Sequence, residues 1–328
     1  MSILTYIGLI AGIAIFCLLL VWQGVIEVLQ LLFTSGWSML LLPVVWLPSL
    51  LPTTQSWRKL FLDSYKPRFL PSLSAIWMGR AINNLLPVAT IGGEVAKARL
   101  ITLSGCPGTD AAASVLVDKT VQVLAVIVWG LLGVMLLMYL SVDNDLALLI
   151  LLGFVVLTIA VTGFVLVQKV GFFNLLTQLG KKLVKSDVWE GLTVNAQLVD
   201  SKVREIYRIR NRFMVSVLLK SLGLMLQTAE VWLACYLLGQ PVTLIEAMML
   251  KSLTSALSDI AFIIPNAYGI QEGAYIVIGT LLGFSPDFSL AVSLATRIRE
   301  LIVDLPGLLL WQYIESRHWL QKRVYDQQ

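Results

Sequence analysis

The chain has 328 residues, of which 58% are apolar and 13% charged, and its formal net charge is +4. Soluble domains average about 45–50% apolar and about 25% charged residues. Several apolar runs approach the roughly 20 residues that a helix needs to cross a bilayer. The composition therefore excludes an ordinary soluble protein and predicts an all-α polytopic membrane protein, formed by a single membrane domain over residues 1–328.

Cysteine and histidine are too few for most metal or nucleophile chemistry. The chain has one histidine and three cysteines, and their spacing suggests neither a disulfide framework nor a zinc site. A glycine motif for nucleotide binding is also missing from the sequence. We therefore predict no cofactor, no metal and no catalytic residue, and we expect the protein not to be an enzyme.

The N-terminal part, residues 1–70, is predicted to hold two spans. Residues 4–22 form the first, which we expect to be retained because it lacks the basic start of a signal peptide. A short amphipathic stretch at 25–33 and a second span at 37–51 follow. A basic loop at 54–70 then ends this part of the chain.

Residues 71–140 are predicted to form two short helices followed by one long helix. The two short helices meet at a centre that is interrupted by Pro87, Gly92 and Gly93. Another apolar span is expected at 146–168.

The one long polar segment, 169–212, contains nine Lys or Arg and four Asp or Glu. Apolar residues recur in it at near-helical spacing, which predicts a cytoplasmic amphipathic helix lying on the membrane surface. The alternative is selective capture of anionic lipid. The cations that would then contact lipid are Lys202, Arg204, Arg208, Arg210 and Arg212.

The C-terminal half resembles the first in outline. A span at 213–238 precedes residues 244–313, where two helices interrupted around Pro265 and Gly269 lead into a last long helix at 287–313.

Orientation follows from the excess of Lys and Arg in cytoplasmic loops. The loops at 54–70 and 169–212 and both chain termini should be cytoplasmic, and the loops that lack Lys and Arg should face outward. Residues 71–104 must then start and end on the cytoplasmic side, and residues 244–283 on the outer side. Each is therefore predicted to be a re-entrant helical hairpin, and the two enter the bacterial inner membrane from opposite faces.

Two stretches of the chain match at one constant offset, without a gap. The matches are Leu85-Leu86-Pro87 with Ile263-Ile264-Pro265, Glu94 with Glu272, Gly105 with Gly283, Lys119 with Arg297, and Gln122 with Glu300. Repeats inserted from opposite faces are typical of inverted-topology transporters, whose broken helices meet near the bilayer midplane. Non-helical backbone is tolerated there only in protein or beside a wet cavity, so the breaks indicate a central site.

Lys119 and Arg297 lie roughly 15 Å along their long helices, near mid-bilayer. An isolated cation at that depth costs about 2.5–3.5 kcal/mol even on insertion scales, so each needs a partner or water. The candidate partners are Glu94, Glu272, Asp118, Glu300 and Asp304.

Two interpretations of these charges remain open. In one, the ion pairs only hold helices together. In the other, they line a cavity for a lipid headgroup, whose phosphate the cations hold while the glutamates compete for them or carry protons. Asn84 and Gln271 are expected to bond backbone groups freed at the breaks, or to contact the headgroup.

Three further cations, Arg80, Lys97 and Arg99, are placed near the cytoplasmic end of the first hairpin, where they are expected to snorkel. Arg299 is expected to point away from Arg297 on the last helix.

The sequence resembles a known family over nearly its whole length. The motifs are Gly79-Arg80-Ala81-Ile82-Asn83-Asn84-Leu85-Leu86-Pro87, Gly92-Gly93-Glu94, Ala113-Ser114-Val115-Leu116-Val117-Asp118-Lys119, Gly269-Ile270-Gln271-Glu272-Gly273 and Pro306-Gly307. They are similar to the flippase-like membrane domain of lysylphosphatidylglycerol synthases, and especially to stand-alone hopanoid-biosynthesis-associated members of HpnL type. The resemblance implies lipid translocation or trafficking. The soluble aminoacyl-transferase domain of the full synthases has no counterpart in this sequence, so no synthesis of lysyl-lipid is expected.

The leading hypothesis is thus a lipid flippase or lipid transporter whose ligands are anionic or polar-headed membrane lipids, with no nucleic-acid partner. One alternative is a non-catalytic scaffold that binds enzymes of a membrane lipid pathway, for example hopanoid synthesis. The other is an intramembrane lipid-modifying enzyme, which would depend on Asp and Glu alone.

Overall fold

The computed structural model describes residues 36–62, 65–86, 92–140, 152, 155, 188–260, 267 and 269–325. These residues are largely helical and include no strand, which confirms the all-α prediction for this part of the chain. Outside the described residues lie the predicted elements at 4–22 and 25–33, nearly all of 146–168, and the breaks at Pro87 and Pro265.

The helices are numbered in chain order. They are α1 Gly36–Lys59, α2 Phe69–Leu85, α3 Gly92–Leu103, α4 Gly108–Tyr139, α5 Val188–Arg208, α6 Arg210–Leu237, α7 Leu244–Ile260, α8 Ile270–Leu281 and α9 Pro286–Tyr325. Among the described residues, α1, α4 and α6 are long and apolar enough to cross a membrane. The predicted spans at 37–51 and 213–238 lie in α1 and α6.

Helix α1 is irregular but continuous. Pro48 lies in a short 3-10 turn, Leu47–Ser49, because proline lacks the N–H that an α-helical turn needs. The helix then continues to Lys59, beyond the end of the span predicted at 37–51. Arg58 and Lys59 occupy its last turn, where cations interact favourably with the carbonyl end of a helix.

Helices α2 and α3 form a tight pair because two glycines face each other. A Cβ at Gly79 would lie 2.8 Å from the Gly93 carbonyl oxygen, and one at Gly93 would overlap the Gly79 carbonyl oxygen. The Gly93 amide also donates to Asn83 Oδ1 at 2.8 Å. This bond satisfies one of the free N–H groups at the start of α3.

Helices α8 and α9 begin at the same distance from each other along the chain as α3 and α4 do. The offset that relates Glu94 to Glu272 also relates the start and end of α3 to those of α8, and the start of α4 to that of α9. The turns that close α3 and α8 also share one hydrogen-bond pattern: Gly105 has φ +93° and Cys106 N donates to Ile101 O at 3.3 Å, while Gly283 has φ +79° and Phe284 N donates to Gly279 O at 3.0 Å. A positive φ favours glycine at such a helix end.

The two halves pack crosswise. Helix α4 packs against α7, and α9 packs against α2, so each long helix contacts the first short helix of the other pair. Helix α6 runs beside α1, where the hydroxyls of Ser56 and Ser216 lie 2.9 Å apart. The apolar side chains form two large cores, one around Trp57 and Val117 and one around Leu253.

The polar helix α5 packs part of its apolar side against protein. Val199, Val203 and Ile206 are buried and pack against α4. Tyr207 also donates to Thr120 Oγ1 at 3.2 Å. Protein contacts therefore cover these apolar side chains.

Helix α9 is longer than predicted and ends at Tyr325 rather than at 313. Pro306 lies inside it, and the Trp77 indole of α2 donates to the Val303 carbonyl at 2.7 Å in the turn before this proline. Packing against α2 thus supports the helix where proline removes a backbone donor.

Candidate functional site

A first charge cluster lies where α3, α4 and α6 meet. It consists of Glu94, Lys97, Asp118, Lys119 and Lys220. The Lys97 ammonium lies 2.6 Å from Asp118 Oδ2 and 2.7 Å from Glu94 Oε2, and Lys220 Nζ lies 2.7 Å from Asp118 Oδ1. Lys119 Nζ is farther from its partner, at 3.9 Å from Glu94 Oε1.

Three members of the first charge cluster are buried: Lys97, Asp118 and Lys220. The Lys97 ammonium also lies 5.0 Å from the centre of the Trp57 ring, which adds a cation–π contact. The expectation that Lys97 snorkels to the membrane surface is therefore wrong. This lysine is instead fixed between two carboxylates because its aliphatic chain points into the helix bundle.

A second charge cluster joins α2, α6, α7, α8 and α9. It consists of Arg80, Glu230, Lys251, Glu272, Arg297, Arg299, Glu300 and Asp304. On its α8 side, Arg297 lies 3.1 Å from Glu272 Oε1 and 3.1 Å from Glu300 Oε2. On its α2 side, Arg80 Nε lies 3.1 Å from Asp304 Oδ1.

Glu230 is fully buried in the second charge cluster, with an exposure of 0%. Arg299 donates to both of its oxygens, at 2.6 and 3.1 Å, and Lys251 Nζ lies 3.5 Å from one of them. The Trp46 ring of α1 has the Arg299 guanidinium 4.6 Å from its centre and the Arg80 guanidinium 4.0 Å from it. Arg299 is thus a central member of the site.

Helix α7 carries Lys251 of the second charge cluster and, near its end, Asp259. Paired charged side chains thus occur on helices from α3 to α9. Buried charges of this kind persist only when each is paired, because desolvation costs several kcal/mol per ion, on the order of the attraction gained.

The structure brings together most of the residues that the sequence singles out. Glu94, Asp118 and Lys119 are in the first charge cluster, and the second contains Glu272, Arg297, Glu300 and Asp304. Asn84 donates to Asp304 Oδ2 at 2.7 Å, so it contacts a cluster member rather than freed backbone.

Gln271 and the glycines at the breaks have local structural contacts. Gln271 donates to Thr296 Oγ1 at 3.0 Å, which ties α8 to α9. The Gly269 amide donates to Glu272 Oε2 at 2.7 Å, and Gly269 has φ +80°, which glycine adopts without strain. Gly92 is the first residue of α3. Glu272 thus caps its helix and pairs with Arg297 at the same time.

Sequence reasoning missed three cluster residues in apolar helices and misread two others. Lys220, Glu230 and Lys251 were not singled out, and Arg80 and Lys97 were expected to snorkel. Arg299, expected to point away from Arg297, was not counted among the site residues. Lys119 was singled out because it lies deep in an apolar helix. The same criterion would have found the missed residues, since an ionisable group inside an apolar span is a candidate functional residue by default.

The turn between α3 and α4 contains a buried thiol. Burial, with a smaller contribution from the Asp110 carboxylate, raises the pKa of Cys106 to about 12. The thiol therefore stays protonated near neutral pH, and since the thiolate is the nucleophile, Cys106 is unsuited to covalent chemistry.

Comparison with known proteins agrees with this description. The chain is 24% identical over 325 residues to the UPF0104 membrane protein PH1989 of Pyrococcus horikoshii, covering 93% of this chain and 94% of that protein. No solved structure matches the chain. The model of the family described as the lysylphosphatidylglycerol synthase TM region matches residues 9–307. The chain therefore belongs to the family of the lysylphosphatidylglycerol synthase TM region.

Proposed function

We propose that this protein is a lipid transporter that moves a polar-headed lipid between the two leaflets of the bacterial inner membrane. The observation that carries the proposal is a pair of matched ion pairs, Glu94 with Lys119 and Glu272 with Arg297. Each joins the first turn of a short helix to the twelfth residue of the following long helix, and the two occupy equivalent positions in the matched stretches. Membership of a family named for a lipid synthase supports a lipid as substrate.

The architecture proposed for transport is an inverted repeat. In this proposal α2–α4 and α7–α9 are equivalent units, and the hairpins α2–α3 and α7–α8 enter the membrane from opposite faces. The equal helix spacing, the shared helix-end hydrogen bonds and the crosswise packing support it. In transporters of this type the substrate site lies near the midplane, where the repeats meet.

The chemistry of the site suits a lipid headgroup. A lipid phosphate that enters the membrane interior needs cations there, and Lys119 and Arg297 supply them. Glu94 and Glu272 occupy these cations while no phosphate is bound; when phosphate takes them, Glu94 keeps Lys97 and Glu272 keeps the Gly269 amide as partners. The free N–H groups at the start of α3 provide further donors for an anion.

A translocation assay with a mass readout separates this proposal from the alternatives. Purified protein is reconstituted into vesicles that contain a fluorescent phospholipid, and a membrane-impermeant quencher reports how much lipid changes leaflet. We expect faster exchange than in protein-free vesicles and an unchanged lipid mass. A changed mass would indicate a lipid-modifying enzyme, and no exchange together with retained partner enzymes would indicate a scaffold.

A further inference from the structure

The two matched ion pairs differ in one respect: one is open and the other closed. Lys119 Nζ lies 3.9 Å from Glu94 Oε1, and the two side chains are 42% and 23% exposed. Arg297 Nε lies 3.1 Å from Glu272 Oε1, and these side chains are 3% and 16% exposed. The two cations at equivalent positions thus differ in accessibility in one conformation, whereas the two glutamates are similarly exposed.

Glu94 Oε2 also lies 2.7 Å from Lys97 Nζ, so this carboxylate stays paired while Lys119 is open to a second anion. Pairs that only hold helices together gain most when both are closed, because attraction between charges falls with distance and with exposure to water. A transporter with an inverted repeat, in contrast, opens one half while the other is closed, and the halves exchange.

We propose that the headgroup phosphate binds at two half-sites in turn. The first half-site is Lys119 with Glu94, which accepts phosphate in the conformation described above. The second is Arg297 with Glu272, which opens as the first closes. This inference rests on the proposed function and adds to it where the phosphate binds in each state.

Amine acetylation measures the two half-sites independently of transport. Acetic anhydride, followed by peptide mass spectrometry, reports the accessibility of Lys119. The variant Arg297→Lys keeps the charge of the second half-site and adds an amine that the same reagent can detect. Exposed Lys66 normalises the labelling, and buried Lys220 reports whether the fold has opened.

The expected result is reciprocal labelling. In Arg297→Lys, Lys119 should react and the amine at position 297 should be protected. Adding Glu272→Gln weakens the closed pair, so labelling at position 297 should rise and labelling at Lys119 should fall. The ratio of the two should change by about 5–30-fold, as expected for losing one such contact. The matched control Glu315→Gln breaks an exposed pair with Arg99 and should change neither signal.

Two outcomes would overturn the inference: labelling that rises at both positions together, and labelling that is unchanged while Lys220 stays protected. If Lys220 becomes labelled, the fold has opened, and the decision rests on Arg297→Lys alone. Equal reactivity at both positions would then contradict the proposal. Reciprocal labelling in a protein that moves no lipid would instead refute the proposed function, so the two failures are distinguishable.

Lipid composition identifies the ligand. In nanodiscs of phosphatidylglycerol, Lys119 should be labelled several-fold less than in nanodiscs of an uncharged galactolipid, and added inorganic phosphate should not change labelling in the galactolipid. Equal labelling in both lipids would refute phosphate binding at the first half-site. Protection by inorganic phosphate in the galactolipid would reassign the site to free phosphate and overturn a lipid headgroup as its ligand.

Discussion

Glu230 connects three helices through charge, since its carboxylate on α6 receives Arg299 of α9 and Lys251 of α7. Arg299 in turn contacts the Trp46 ring of α1. The carboxylate is fully buried, so its negative charge must be offset by Arg299 and Lys251, and their positive charges must be offset by it. Pairing of this kind fixes how helices are arranged even where it adds little net stability.

Removing the Glu230 charge should be among the most destabilising single changes. Glu230→Gln leaves two buried cations without their carboxylate, and breaking a buried pair in this way costs about 3–5 kcal/mol. Thermal unfolding in detergent measures the loss. Glu315→Gln, at an exposed pair with Arg99, is the control and should cost about 0–1 kcal/mol. Equal losses in the two variants would contradict the buried role of Glu230.

Cys106 provides a residue-level test of burial in the turn between α3 and α4. With a pKa of about 12, the thiol should react slowly with iodoacetamide from pH 7 to 9, whereas an ordinary cysteine, with a pKa of about 8.5, reacts quickly at pH 9. The raised value also favours the folded state below the unfolded pKa, and this contribution is lost as pH rises through the folded pKa. Rapid peptide-mapped labelling of the folded protein at pH 8 would disprove the assignment.

At the scale of elements, the crossing of α2 and α3 depends on two small residues. Gly79 and Gly93 let the two backbones touch, which side chains would prevent. The close crossing places Glu94 and Lys97 on the side that faces α4, where Asp118 is found. Gly79 and Gly93 are therefore needed for the first charge cluster as well as for the close packing of α2 against α3.

Gly93→Ala should accordingly destabilise the hairpin. The added methyl group overlaps the Gly79 carbonyl, and overpacking of this kind costs about 1–3 kcal/mol. Gly273→Ala is the matched control, because it lies in the first turn of α8 with nothing within 4 Å of the added carbon. We expect it to be neutral or stabilising by roughly 0.5–1 kcal/mol. Unfolding midpoints in detergent compare the two, and a more stable Gly93→Ala would rule out the close crossing.

The positions of helices could be predicted where they depend only on residues close together in the sequence. The two apolar spans, the short helices α2 and α3, and the starts of α4 and α9 follow from apolar runs, glycine and proline. The environment of α5 was not predictable, because the same amphipathic pattern fits a membrane surface and the side of α4. Only tertiary packing distinguishes these two, and it buries Val203 against protein.

The charge clusters show a similar limit at the scale of the whole molecule. Pairs within a matched unit, such as Glu272 with Arg297, could be proposed from spacing alone. The contacts of Lys220 and Glu230 could not, because they depend on how α6 packs between the two halves. A cation such as Lys97, whose helix considered alone suggests snorkelling, is buried once α4 and α6 are present.

The proposed inverted repeat predicts that equivalent turns lie on opposite sides of the membrane. Single cysteines are introduced into a chain without its native ones, as Ser104→Cys after α3 and Asp287→Cys at the start of α9; both positions are exposed. An impermeant maleimide should label position 104 only from the cytoplasmic side and position 287 only from outside. Labelling of both from the same side would contradict the inverted arrangement.

The central claim is that lipid crosses the membrane by way of the paired charges. The measurement that tests it most directly is the translocation rate in proteoliposomes for Glu94→Gln, Glu272→Gln and Arg297→Ala, beside the exposed-pair control Arg99→Ala. We predict that each of the three slows translocation by about tenfold or more, which corresponds to about 1.4 kcal/mol of lost stabilisation, while Arg99→Ala stays close to the unmodified protein. Unchanged rates in all three site variants would contradict the account.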